Sequence, residues 1–384
     1  MATSVGRRAP VAAAANHPSV LLPITAGALV VLGLVMILSA SSVSSFASYG
    51  SSFLFFRKQV LWAAIGLVGF LFFARLDYRR LKGFGYLGVA ASAILLAAVL
   101  VPSVGITAGG SARWIGVGSF AIQPSEIAKL ALILFAADVF ARKGEASLRE
   151  LSHTALPMLP VTGLLAGLVM AQPDLGTTVI LGVIGFGMLF VAGAPLRYLI
   201  PFAGAGIGLA GLAAVAAPYR RARLLAFLDP WKDPLEGGYH TIQSLIALGS
   251  GGWFGVGLGA SRQKWLYVPN AHTDFIYSIL GEETGVLGTL AVLGMFAFLT
   301  YLGIRIARAA PDRFGTLIAA GITLWIASQA LINIGAVTAT LPVTGVPLPL
   351  VSFGGSSLVV SLIAMGILTN IARAGKARVR RASK

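Results

Sequence analysis

Ten stretches of this chain are apolar for long enough to cross a bilayer. They run approximately over 21–40, 58–75, 84–101, 126–141, 156–171, 176–193, 198–217, 275–304, 314–338 and 355–373. A spanning helix needs about 20 predominantly apolar residues. The runs are continuous rather than alternating, which excludes a transmembrane β-barrel. The pattern predicts an all-α polytopic membrane protein of about ten helices: a tail over 1–20, one membrane domain over 21–373 and a basic tail over 374–384. The longest polar interruption is Pro218–Thr273. Within it, Tyr239, Ile242, Leu245 and Ile246 share one helical face, with His240, Gln243 and Ser244 mostly opposite, which predicts a helix lying in the membrane interface.

Basic residues set the orientation. With the N-terminus cytoplasmic, 19 of the 29 Lys and Arg fall in cytoplasmic segments, among them Arg79, Arg80, Arg142, Arg305 and Arg313. An even number of spans then returns the C-terminus to the same side. The tail Arg373–Lys384 reads as an anchor for anionic lipid headgroups. The first apolar run is long enough to span, so no cleavable signal peptide is expected.

Composition sharpens this picture. Charged residues make up 11% of the chain against about a quarter in a soluble domain, too few to cover a water-facing surface. The net charge of +16 is accounted for by topology and lipid, without a nucleic-acid partner. The absence of cysteine excludes disulfides, thiolate metal sites and a cysteine nucleophile. Four scattered His without an H-E-x-x-H pair argue against a zinc hydrolase.

Thirteen acids can be placed one by one. Asp77, Glu145, Glu150 and Asp312 sit in cytoplasmic loops beside Lys or Arg and read as solvated charge; Asp138 lies near the inner end of the fourth span. The other eight, Glu126, Asp174, Asp229, Asp233, Glu236, Asp274, Glu282 and Glu283, fall on the outer half. Ionisable groups at membrane depth are costly and so mark functional candidates. Asp274 stands where the long loop enters the eighth span. It reads either as a partly desolvated general base or as an acid stabilised by a helix N-terminus. Glu126 and Lys129, three apart, can pair on one helix face, either as a structural ion pair or as a preorganised charge pair lining a cavity. Arg113 adds a positive charge upstream. Asp174, in Gln172-Pro-Asp-Leu-Gly176, reads as part of a tight turn.

Arg220, Arg221 and Arg223 lie outside against the charge bias, which suits phospholipid headgroups or a phosphate-bearing lipid substrate. Leu341–Ser357 holds three prolines yet is largely apolar, which predicts a loop dipping into the membrane. Ser352, Ser356 and Ser357, where the tenth span starts, suit either an anion site or helix capping. Gly249–Gly259 carries six glycines, read as tight turns or close packing.

At these motifs the chain resembles the SEDS family (shape, elongation, division and sporulation). The resemblance runs from the first span to the last. It includes Gln123-Pro-Ser-Glu126 with Lys129, Gln172-Pro-Asp-Leu-Gly-Thr177, Gly238-Tyr with Gln243-Ser-Leu, Gly249-Ser-Gly-Gly252, Ala271-His-Thr-Asp-Phe275, Glu282-Glu283, Thr344-Gly-Val-Pro-Leu-Pro349 and Ser352-Phe-Gly-Gly-Ser-Ser357. Gly257-Leu-Gly-Ala-Ser-Arg-Gln-Lys264 followed by Tyr267-Val-Pro-Asn-Ala-His is most similar to the division branch, FtsW; Asn270 departs from it, since Glu is common there.

The resemblance implies a peptidoglycan glycosyltransferase at the outer face of the cytoplasmic membrane, using lipid II at the division septum. It implies a class B penicillin-binding protein and other division proteins as partners, with no organic cofactor. On that reading Asp274 is the base, and Lys129 steadies charge near it, oriented by Glu126. Arg113, Arg220, Arg221 and Lys264 face the pyrophosphate, with Gln243, Ser244, His272, Thr273, Ser352, Ser356 and Ser357 as further substrate contacts. A divalent cation, Mg or Mn, would suit the phosphate chemistry, with Asp274 as its ligand. Alternatives are the elongation (RodA-like) polymerase, a lipid II flippase, for which polar residues placed in the cytoplasmic half such as Asp138 and Asn333 would matter, and a non-catalytic scaffold.

Overall fold

The computed structural model describes residues 17–382 apart from 109–110, 118–119, 145–146, 148–149 and 217. Arg7, Arg8, Glu145, Arg149 and Lys384 therefore lie outside the described residues. Among the described residues, helices occupy the ten predicted positions. They are α1 (Pro18–Tyr49), α2 (Leu54–Arg75), α3 (Phe84–Val99), α4 (Pro124–Ala141), α5 (Leu151–Ala171), α6 (Leu175–Ala192) and α7 (Leu196–Ala216), then α10 (Ile276–Ala309), α11 (Arg313–Val337) and α12 (Gly355–Ala382). Between α7 and α10 lie α8 (Pro218–Leu228) and α9 (Tyr239–Ser250). Among the described residues seven helices are both long and apolar enough to span a membrane; α3 and the first part of α7 are apolar but shorter.

The two ends of the bundle differ. His17, which caps α1, lies in the field of Lys376 and Arg305, so the beginning of α1 and the ends of α10 and α12 share one end. The opposite end carries the loops before α4 and α10 and the proline loop before α12. The core runs along the whole bundle and is nearly all apolar: Leu22, Met36, Leu132, Ile184, Trp325 and Ile371 are each essentially inaccessible.

Four expectations change. First, the loop before α4 is a small antiparallel sheet of β1 (Gly105–Ala108), β2 (Ser111–Val117) and β3 (Phe120–Ile122), in the order β1-β2-β3 with a bulge at Ile106/Thr107. Its signal, a few alternating residues, is drowned by the neighbouring spans.

Second, the eighth run is broken. Gly285 takes φ 70° and ψ −168° inside α10, a conformation open to glycine alone. In a continuous helix the amides of Val286 and Leu287 would donate to the carbonyls of Glu282 and Glu283. Here they donate to Gly252 and Trp253 at 2.9 and 3.3 Å, while Val256 and Gly257 donate to Glu282 and Glu283 at 3.0 and 3.1 Å. The glycine-rich segment thus replaces the lost hydrogen bonds one for one. A Cβ on Gly255 would collide with the Glu283 carbonyl.

Third, α9 turns its small residues inward. Thr241, Ser244 and Ala247 are buried together with Ile242, and Ile246 is exposed, because Gly251 and Gly281 let α9 and α10 approach closely, and the Ser244 hydroxyl bonds Ser278 at 2.7 Å and the Val337 carbonyl at 2.6 Å. Close packing with hydrogen bonds thus buries the polar side of α9 along with Ile242, and of the apolar face Ile246 alone is exposed.

Fourth, Asp312 is built into the structure. It caps α11 through the Gly315 amide (2.8 Å) and accepts from the Tyr78 hydroxyl (2.6 Å) and from Arg79 Nε (2.9 Å). Burial pushes its carboxyl up, but those three hydrogen bonds prevail and hold it below the usual carboxylate range.

Candidate active site

Asp274 lies two residues before α10, on a segment whose main chain is held tightly. Three successive carbonyls are taken. Phe353 N donates to His272 O (2.9 Å), Ser352 Oγ to Thr273 O (2.7 Å) and Asn333 Nδ2 to Asp274 O (2.8 Å). Two of these donors come from the proline loop, 338–354, whose Val346, Leu348, Leu350 and Val351 are buried as expected of a loop at membrane depth. Pro347 and Pro349 cannot donate to a helix ladder, and positive φ at Ala339, Gly345 and Leu350 folds the loop back on itself.

Asp274 is half-buried. It lines a pocket of about 60 Å³ with Gly237, His240, Thr241, Asn270, Phe275, Val343 and Gly345. Gly345 faces it: a Cβ there would stand 3.6 Å from Asp274 Oδ2. The His240 ring stacks on Phe275 at 5.9 Å between centroids. A neighbouring pocket of about 280 Å³ is lined by Ser44, Lys264, Leu266, Asn270 and His272 among others. Asn270 belongs to both, and takes φ 53°, a region Asn tolerates better than Glu does.

The charge pair on α4 is fully enclosed. Lys129 Nζ is 2.8 Å from Glu126 Oε1 and 2.8 Å from Gln329 Oε1, and stands 4.9 Å from the centroid of the Trp325 ring. Lys129 is 0% exposed and Glu126 1%. Such a pair survives burial because the ammonium has a carboxylate, a carboxamide oxygen and an aromatic face around it.

The other expected site residues divide. Lys264 is buried; its ammonium is 3.7 Å from Glu283 Oε1 and donates to Ser39 Oγ and Gly259 O. Arg113 donates to the carbonyls of Gln172 and Pro173 and sits 3.7 Å from Asp174, tying β2 to the turn before α6. Ser352 accepts from Leu348 N as well as donating to Thr273 O, and Ser356 Oγ accepts from Gln123 N at 3.1 Å. Ser244, Ser352 and Ser356 are thus engaged within the protein; Ser357 is buried in the first turn of α12, and Gln243 is half-buried on α9. Thr273 Oγ1 donates to Asn270 O at 3.1 Å. The His272 ring packs between Phe55 (4.6 Å) and Phe353 (5.5 Å), and desolvation lowers its pKa to about 4, so it is neutral. Arg221 is exposed on α8; Arg220 is on the same helix, with its side chain outside the described residues.

Several residues of the site were not singled out from sequence. His240 and Thr241 line the Asp274 pocket, as does Asn270, which stood out in the sequence only as a departure from Glu. Gln329 and Asn333 join α11 to the site. Asn333, which the flippase alternative grouped with Asp138, lies instead at the Asp274 end of the bundle, since its Nδ2 reaches Asp274 O. A polar residue inside an apolar run was the available signal for both amides.

Comparisons with known proteins agree over nearly the whole chain. The family model described as "Cell cycle protein" (FtsW, RodA and SpoVE) matches residues 19–377. Stage V sporulation protein E of Bacillus subtilis is 43% identical over 93% of this chain and 98% of its own. The probable peptidoglycan glycosyltransferase FtsW of Mycobacterium tuberculosis is 44% identical over 91% of this chain; the match covers 66% of that longer protein. A solved structure described as "Structural coordination of polymerization and crosslinking by a peptidoglycan synthase complex" contains a chain matching with TM-score 0.75 and 31% identity, over 92% of this chain and 97% of that one. With the apolar helices, the buried Glu126–Lys129 pair and the Asp274 pocket in place, these matches establish that this multi-pass membrane protein belongs to the FtsW/RodA/SpoVE family of cell cycle proteins.

Proposed function

We propose that the protein is a peptidoglycan glycosyltransferase of the FtsW type, polymerising lipid II at the outer face of the cytoplasmic membrane during septal wall synthesis. The observation that carries the reading is Asp274: a carboxylate on a clamped main chain, lining a pocket between the proline loop and α9. The relatives' names, among them the probable peptidoglycan glycosyltransferase FtsW, support the activity. The charge bias supports the sidedness.

In the reaction the acceptor's 4-hydroxyl attacks C1 of the donor sugar. Its proton passes to the Asp274 carboxylate, and the C1–O bond breaks with its electron pair leaving on the lipid pyrophosphate. The α-linkage becomes β. General-base help of this kind contributes about 10²–10⁴-fold. The clamped main chain holds the carboxylate in place without reorganisation. Arg221, exposed on α8, supplies positive charge for the phosphates, Lys264 lines the larger pocket while paired with Glu283, and the bilayer holds the lipid tail.

Among the described residues no group of three His, Asp or Glu gathers as a metal cage. A Mg-type ion needs only one or two carboxylates besides substrate phosphates, so Asp274 is the residue that would hold one. It would neutralise the leaving pyrophosphate. The synthase complex among the solved structures supports a penicillin-binding partner.

The test is glycan-chain formation from lipid II by the purified protein with a partner whose transpeptidase site is blocked, beside Asp274→Asn. Polymer from wild type and none from Asp274→Asn is expected; equal polymer from both removes Asp274 as base. Silence from both, with each folded and partnered, would favour the flippase or scaffold.

A further inference from the structure

We propose that Gln329 and Asn333, one turn apart on α11, are positioning residues that lock the two walls of the Asp274 pocket together and tie them to the Lys129–Glu126 pair. The inference rests on Asp274 being the base.

The two carboxamides are 0% and 2% exposed. Helix packing alone would favour apolar side chains at such positions, since a buried amide is unfavourable unless bonded. Gln329 is bonded at both ends of its carboxamide; Asn333 is bonded twice through its nitrogen, while its Oδ1 is buried without a hydrogen bond. Asn333 Nδ2 donates to Asp274 O and to Val346 O, each at 2.8 Å. Gln329 Nε2 donates to the next carbonyl, Pro347 O, at 2.9 Å, and Gln329 Oε1 accepts from Lys129 Nζ (2.8 Å) and Trp325 Nε1 (2.7 Å). The amide orientations are forced. Carbonyl oxygens only accept, and an ammonium and an indole N–H only donate.

The placement bears on the pocket directly. Asp274 stands on one wall and Val343 and Gly345 on the other. Asn333 bonds the main chain at Asp274 and at Val346, next to Gly345, so one side chain sets the distance between the walls. Gln329 holds the following residue and reaches Lys129 on α4. The order Glu126, Lys129, Gln329, Pro347, then Val346, Asn333, Asp274 is therefore continuous, made of hydrogen bonds and one peptide link. A displacement on the order of 1 Å at a reacting group can cost about 10²-fold in rate, so slack here would appear in turnover.

The variants are Asn333→Asp and Gln329→Glu, which keep shape and remove the donors. The Glu would still face Lys129 and Trp325. Lipid II polymerisation is measured against lipid II concentration for each purified, partnered protein, with melting temperature and elution profile as folding controls and Asp274→Asn alongside. The expected result is a fall in kcat of about 10–100-fold with KM within about twofold and folding retained, consistent with mispositioning. The Asn333→Asp rate relative to wild type should rise as pH is lowered, because a protonated carboxyl regains one donor.

Wild-type turnover in either folded variant, a loss confined to KM, or unfolding of both variants would overturn the proposal, the last assigning the pair to stability alone. Should only Asn333→Asp fail to fold, the kcat and KM of Gln329→Glu decide. Polymerisation by Asp274→Asn at the wild-type rate would instead remove the base assignment. A silent Asp274→Asn beside fully active amide variants would remove only this proposal.

Discussion

Helix α4 carries two ion pairs of similar sequence spacing, one toward each end. At the Asp274 end Lys129 and Glu126 sit 2.8 Å apart, with side chains 1% and 2% exposed. Toward the other end Arg142 and Asp138 sit 2.6 Å apart, with side chains 63% and 1% exposed. Asp138 also accepts from the Gly83 amide at 3.2 Å, which joins α4 to the loop before α3. The first pair is shut in by α11 and has no water to share; the second keeps its cation in solvent. Residue type and helical spacing are thus poor guides to what a charge pair does. What differs is the dielectric around it and the partners that remain if one member is lost.

The largest effect expected from breaking this comparison is at Lys129. Lys129→Met leaves Glu126 buried without its cation, which costs about 3–5 kcal/mol, and removes one of the two donors to Gln329 Oε1. Unfolding in detergent should show a clear loss of stability, and polymerisation should fall with it. Adding Glu126→Gln should restore part of the stability and little of the activity. Full recovery of activity in the double variant would make the pair merely structural.

Next comes the break in α10. Gly285→Ala forces a non-glycine residue into a conformation that costs about 1–3 kcal/mol, and should loosen the glycine-rich clamp. Protease sensitivity across 249–259 should rise. An unchanged melting temperature would show that the helix straightens without penalty.

A smaller effect is expected from pH at His272. Its folded pKa of about 4 lies below the ordinary 6.5. The stability of the neutral ring is therefore fully present above about pH 6.5 and is lost as pH falls toward 4. Melting temperature should drop across that window, and His272→Phe should flatten the drop. An identical slope in both proteins would place the titration elsewhere.

The smallest effect belongs to Arg142→Gln. Its guanidinium is largely in water and Asp138 keeps the Gly83 amide, so polymerisation should stay at the wild-type rate. A loss comparable to that of Lys129→Met would erase the contrast between the two ends.

Much of this architecture can be read from the chain, and some of it cannot. The apolar runs place ten helices because a bilayer tolerates little else. Asp274, Glu126 and Lys129 stand out because charge at membrane depth is rare. The proline loop stands out because three prolines in an apolar stretch cannot be helical. Less legible were the partners of side chains that come from elsewhere in the chain: Ser352 and Ser356 read equally as an anion site or as helix caps, and in the structure they bond Thr273, Leu348 and Gln123.

By itself, then, the sequence determined the class of fold, the order of the spans and which polar residues are out of place in lipid, since those follow from local hydropathy. Only the tertiary structure decided what each polar residue does. It decided that α10 breaks at Gly285, that α9 buries Thr241, Ser244 and Ala247 beside Ile242, and that two amides on α11 join Lys129 to the Asp274 segment. Those outcomes depend on hydrogen bonds between residues as far apart as Asp274 and Asn333, and no local pattern encodes which distant partner a buried donor will find.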